Sequence, residues 1–207
     1  MADRRLVWIV VALLTIAGSA AFATLAAATA GPVKATHRAA QQARAASGCV
    51  GANAPVRAAP PAVLRTAVVC LINQERARHH LPALHVSPLL GRSAQHWTDV
   101  MVRSDKFTHG ANFASRISAV GYAWRAAGEN IATGYGTPRT VVRAWMASPG
   151  HCENILSPTY RDVGTGINPH AVRGFASGGG TWTQDFGLGV NQSPPSRNVG
   201  PARGCPY

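Results

Sequence analysis

The sequence predicts an α+β domain, and three observations carry that prediction. Apolar residues recur at helical spacing in segments between about residues 62 and 147. The period changes to two in a pair of segments between residues 160 and 187. The helices come first and the strands later, an order that fits α+β architecture better than alternating βαβ units. No repeat of about 20–50 residues competes with this reading.

The first helix runs from Ala62 to about His79, because Val63-Leu64, Ala67-Val68 and Leu71-Ile72 return every four residues and form one stripe. Ser87-Pro88 opens the second, with Ser87 as N-cap and Pro88 in the first turn. Its expected buried face is Leu90, Ala94, Trp97 and Met101. A short third helix covers Ala114 to Val120 and ends at Gly121. Thr137-Pro138 opens a fourth, with Val141, Val142, Trp145 and Met146 facing inward until Ser148-Pro149-Gly150 stops it. Val163, Thr165 and Ile167 then share one face at strand spacing within residues 160–167. Trp182, Gln184 and Phe186 do the same within 181–187, and residues 168–180 join the two strands as a long Gly/Pro-rich hairpin loop.

Ahead of this domain stand two segments of different character. Arg4 and Arg5 precede an apolar run from Leu6 to Ala17, followed by small residues ending Ala28-Thr29-Ala30. That pattern describes a secretory signal peptide over residues 1–30, cleaved after Ala30. The alternative is an uncleaved anchor, since residues 6–30 are long enough to span a bilayer. Both place the rest of the chain outside the cytoplasm, secreted or anchored there by residues 6–30. Residues 31–61 are rich in Ala, Gly, Pro and Gln and read as a linker; residues 62–190 form the domain, and 191–207 a C-terminal tail. An exported chain with an even number of cysteines and no C-x-x-C spacing suggests disulfides over a thiolate metal site. Cys49, Cys70, Cys152 and Cys205 permit three pairings. Cys49–Cys70 with Cys152–Cys205 is the one that would tether each poorly structured end to the core.

The 207 residues carry 20 Lys+Arg against 8 Asp+Glu, a formal charge of +12, which raises nucleic acid as a partner. The cations are scattered Arg apart from Lys34 and Lys106, with no block of like charges and no basic patch interleaved with aromatics. Composition therefore excludes nucleic-acid binding and leaves an attraction toward anionic envelope surfaces. A monomer is expected.

The chemistry lies in short motifs where helices stop. Phe107-Thr108-His109-Gly110 follows the second helix, Gly128-Glu129-Asn130-Ile131 lies between the third and fourth, and Ser148-Pro149-Gly150-His151 follows the fourth. Leu71-Ile72-Asn73 with Arg76, Leu81-Pro82-Ala83-Leu84, Ala94 with His96-Trp97 and Met101, Ala144-Trp145-Met146-Ala147, and Trp182-Thr183-Gln184-Asp185-Phe186-Gly187 complete the set. Taken in chain order, from Leu71 to Gly187, they resemble the CAP superfamily of cysteine-rich secretory proteins, antigen 5 and pathogenesis-related-1 proteins, in its bacterial secreted form. The resemblance implies a three-layer α-β-α sandwich and a cleft on which His109, Glu129 and His151 converge. It also implies a second Glu in a W-x-x-E stretch, where this chain has Ser148 instead. That departure removes the usual paired carboxylates. Asn73 and Arg76 are implied to tie the first helix to a loop.

Two neutral imidazoles, His109 and His151, suit Zn²⁺, but two ligands leave the site open and weak. Glu129 would orient one imidazole, or act as general base on a metal-bound water. His96 would reach the cleft edge. Two functions follow as expectations. One is a binding module for a metal ion, a lipid or a cell-envelope component. The other is a metal-assisted, peptidase-like hydrolase with Glu129 as base. Loops over about 110–128 and 168–180 would choose the ligand.

Overall fold

Three of the five helices begin at a side-chain cap, and the other two at a proline. The computed structural model describes residues 48–194 and Cys205. Expectations for the export segment, for residues 31–47 and for most of the tail lie outside those residues. In chain order the elements are α1 (Pro61–Arg78), β1 (His85–Val86), α2 (Pro88–Ser104), α3 (Phe113–Ala119) and β2 (Trp124–Tyr135). They continue with α4 (Pro138–Met146), α5 (Pro149–Ile155), β3 (Asp162–Asn168) and β4 (Gly180–Gly189). Ser87 accepts from the Leu90 amide, Asn112 caps α3, and Thr137 forms a reciprocal capping box with Thr140. Proline occupies the first turn of α1, α2, α4 and α5.

The four strands lie in the order β1-β3-β4-β2, with β1 parallel to β3 and the other pairings antiparallel. Nine of the ten residues of β4 are buried, so both faces of the sheet are covered. On one face α2 lies directly against Gly164 and Gly166 of β3. On the other, Val163, Ile167, Trp182 and Phe186 pack with Leu64, Val68 and Ile72 of α1, Val141 and Trp145 of α4, and Ile155 of α5. The result is an α+β sandwich in three layers. Asn73 exchanges two hydrogen bonds with the Leu84 backbone, tying α1 to the loop after it as expected.

Several expectations need correction. The stretch left between the third and fourth helices is β2, paired with β4 from Trp124 to Tyr135. Its small residues, covered on both faces over much of their length, leave no clean alternation to read. Ser148-Pro149-Gly150 stops α4 and also starts α5, with Pro149 at its first position. On α2, Trp97 is only partly buried, while Ser93 and Thr98 join Leu90, Ala94 and Met101 against the sheet. Small residues face the sheet there because the opposing strand is glycine.

The expected linker also ends early. Residues 48–60 belong to the packed body: Cys49, Ala52 and Val56 are buried, Val56 N–H donates to the Gly136 carbonyl at 2.8 Å, and Arg139 N–H donates to Ala52 at 2.8 Å. The disulfides are Cys49–Cys70 and Cys152–Cys205, closing separations of 21 and 53 residues. Removing Cys152–Cys205 with a double serine substitution is expected to cost roughly 3–4 kcal/mol, mostly through the unfolded chain. Urea denaturation monitored by tryptophan fluorescence checks this, and a midpoint unchanged from the wild type would contradict it.

Candidate functional site

α2 ends at Asp105, which takes the left-handed conformation (φ 53°), and the chain turns back as Phe107-Thr108-His109-Gly110. Gly110 is required there: its φ is +71°, and a β-carbon would meet the Trp97 ring at 2.8 Å. Trp97 Nε1–H donates to the Thr108 carbonyl at 2.9 Å, so the loop is fastened to the helix it leaves. Arg116 of α3 stacks on the same indole, 3.9 Å from the ring centroid. From there it donates through Nη1 to the His109 carbonyl at 2.9 Å and through Nη2 to Glu129 Oε2.

Glu129 sits on β2 with its side chain 1% exposed, and its other oxygen, Oε1, lies 2.8 Å from His109 Nδ1. A carboxylate at that position holds the proton on Nδ1 and turns the Nε2 lone pair outward. The His109 ring is about half exposed, at 49%. The imidazole is therefore the accessible member of the pair, and Glu129 stands behind it.

The next residue of β2 points to the opposite face. Asn130 Nδ2 donates to the His151 carbonyl at 3.1 Å and to Gln184 Oε1 at 3.3 Å, while its own oxygen accepts from Asn154 at 2.9 Å. These bonds hold α5 against the strand. His151, on α5, has Nδ1 2.9 Å from Ser148 Oγ. Burial, and secondly the neighbouring His109, hold the His151 imidazole below its ordinary value, so it is neutral at pH 7. The sheet edge at β2 thus brings His109, Glu129, His151 and Ser148 together from both of its faces. His96 does not join them; it is exposed on α2, outside the groove lining.

A groove of about 320 Å³ opens beside them. Phe107, Ile131, Tyr135 and Trp145 supply much of its apolar lining, and Ser148 and His151 stand in its wall. Phe175, from the 168–180 loop, is 58% exposed at its rim, with its ring centroid 5.6 Å from that of Phe107.

Two residues of the site were not expected. Arg116 carries no sequence signal, being one arginine among many. Asp185 lies within W-T-Q-D-F-G, a motif that by itself assigns it no role. Period-two geometry puts it on the face opposite Trp182, Gln184 and Phe186, and on a strand covered on both faces an acid so placed must be buried.

Among the described residues, no group of three or more His, Cys, Asp or Glu side chains is placed to hold an ion. His109 and His151 alone are fewer than the three or four protein ligands of a zinc centre.

The model of the cysteine-rich secretory protein family (CAP) matches residues 69–186. Protein YkwD of Bacillus subtilis (strain 168) is 36% identical over 124 residues, covering 58% of this chain and 45% of that protein. An SCP-domain extracellular protein from Bacillus anthracis superposes with a TM-score of 0.54 at 22% identity, covering 62% of this chain and 44% of that one. An outer surface protein from Borrelia burgdorferi superposes with a TM-score of 0.53 at 20% identity, covering 59% of this chain and 90% of that one. The chain thus spans less than half the length of the two Bacillus proteins it matches.

Proposed function

This chain belongs to the cysteine-rich secretory protein family, and on that premise we propose that it is an exported binding module for an amphipathic cell-envelope molecule. The groove between Phe107, Phe175 and Trp145 takes the apolar part, and its Ser148–His151 wall, beside the exposed His109 ring, holds the polar group. The observation that carries this reading is the groove itself: a largely apolar cleft with the His151 imidazole and the Ser148 hydroxyl in its wall and an exposed aromatic at its rim. Its volume of about 320 Å³ lies at the lower end of the roughly 300–1,000 Å³ range of small-molecule sites. Large exposed apolar side chains are otherwise few among the described residues. The extracellular and outer-surface descriptions of the two structural neighbours support export.

A second reading, hydrolysis, has one observation in its favour. Ser148 Oγ lies 2.9 Å from the neutral His151 imidazole, at the groove wall. In that reading the base is His151. Glu129, expected as base, has both oxygens engaged and is buried.

One experiment addresses both. The fluorescent fatty acid cis-parinaric acid is expected to bind saturably, and Phe175→Ser to weaken it about tenfold, the loss of most of one buried aromatic contact. Absence of saturable uptake, or equal affinity in the variant, would overturn the binding reading. Turnover of p-nitrophenyl butyrate that Ser148→Ala abolishes would favour hydrolysis. Calorimetry with Zn²⁺ alone separates a metal centre from a bare cleft.

A further inference from the structure

β4 places Asp185 directly across the ladder from Glu129 of β2, on the same face of the sheet. Asp185 is 0% exposed and Glu129 5%. The groups that face Asp185 come from every element packed around it: Glu129 from β2, Ser93 from α2 and Arg116 from α3. His109 from the adjoining loop stands beyond Glu129. Two carboxyls therefore share one cation, and that cation is already committed. Arg116 Nη2 is used on Glu129 and Nη1 on the His109 carbonyl.

The hydrogen bonding of Asp185 is incomplete in a telling way. Among the described residues, neither of its oxygens accepts a hydrogen bond of good geometry, and Ser93 Oγ donates to none. An ionised carboxylate buried without donors is costly. Two ionised carboxylates can only accept, so a bond between them exists only if one carries a proton. We propose that Asp185 is a neutral carboxylic acid that donates its proton to Glu129, and so serves as the positioning residue of the cleft. The bond leaves Glu129 Oε1 for His109 and Oε2 for Arg116, with one negative charge balanced by one positive. The chain thereby recovers a second carboxyl that it lacks at Ser148, from a neighbouring strand instead of a helix end. Burial, and then the Glu129 charge, raise Asp185 well above the ordinary carboxyl value, in agreement. This inference is independent of what the groove binds.

The sign of the pH effect follows. A carboxyl whose folded-state value is raised adds stability that is full below its unfolded value, about 3.9, and is lost as pH rises toward the folded value. The wild-type folding constant is therefore expected to fall up to tenfold for each pH unit in that window, relative to Asp185→Asn. The amide keeps a donor toward Glu129 but cannot titrate. A ratio independent of pH would overturn the proposal.

Carbon-13 NMR of protein labelled at aspartate side-chain carboxyls tests the wild type directly, whatever the variants do. One of the five aspartates is expected to show a protonated shift at pH 7, at a resonance missing from Asp185→Asn or otherwise assigned to Asp185. Ionised shifts for all five at pH 7 would overturn the proposal. The nitrogen shifts of His109 should move in Asp185→Ala and return in Asp185→Asn, a rescue that a purely space-filling role for Asp185 does not produce.

Discussion

Gly164→Val is expected to prevent folding, and Gly164→Ala or Gly166→Ala to cost more than about 3 kcal/mol. A β-carbon on Gly164 would lie 2.1 Å from both Gly91 N and Leu90 C, and one on Gly166 would lie 2.3 Å from the Ala94 carbonyl carbon and oxygen. These are backbone atoms of α2, so no side chain can turn aside, and the helix as a whole has to lift. Overpacking ordinarily costs about 1–3 kcal/mol when neighbours can shift. Lifting α2 also exposes Leu90, Ala94, Thr98 and Met101, all now buried. A domain with roughly 5–15 kcal/mol of stability does not survive the larger valine. Urea melts of the alanine variants and circular dichroism of the valine variant decide it. A wild-type midpoint in Gly166→Ala would refute the argument. The site depends on the same contact, because α2 carries Ser93 against Asp185 and Trp97 beneath Arg116 and the His109 loop.

That contact also shows how far the sequence could be read. The starts of α2 and α4 were legible because Ser87-Pro88 and Thr137-Pro138 combine a side-chain cap with a pre-set φ, and a single apolar stripe follows each. The register of α2 on the sheet was not. A tryptophan at the expected stripe position reads as core, but the glycine surface of β3 admits Ser93 and Thr98 more closely than an indole. β2 stayed hidden for a related reason, since its stretch from Ala126 to Asn130 is small or polar, Ile131 and Thr133 are its only β-branched residues, and the strand shows no clean alternation. The Ala/Pro-rich composition of residues 48–60 reads as linker although Cys49 pins the segment to α1. In the site, His109, Glu129 and His151 were found through their motifs and do share one sheet edge. Arg116 and Asp185 were not, because each acts through a partner that only the folded chain supplies.

Arg76→Ala is the second large effect expected, at about 3–5 kcal/mol. Arg76 is 0% exposed, yet it is an arginine, and burial alone does not account for it. Its Nε donates to the Pro82 carbonyl at 2.8 Å, and Nη1 donates to Ile155 at 2.7 Å and Ser157 at 2.8 Å. Truncation leaves those carbonyls without that donor and opens a cavity the size of the side chain, two costs that add. Arg76→Met fills most of the cavity but satisfies no carbonyl, so it should recover only part of the loss. Burial, with the Arg161 charge nearby, lowers the guanidinium to about 10, which leaves it charged at neutral pH. Folded and unfolded states then hold the same proton below that value, and the deficit of Arg76→Ala should be flat between about pH 5 and 9. Denaturation at both ends of that range tests the magnitude and the flatness together. Because Ile155 and Ser157 bracket the end of α5, which carries His151, the acyl probe should also bind more weakly to the variant where it is still folded. An Arg76→Ala protein within 1 kcal/mol of the wild type (a fivefold change or less in the folding constant) would mean that the three carbonyls find other donors, and that Arg76 is not what fixes the end of α5.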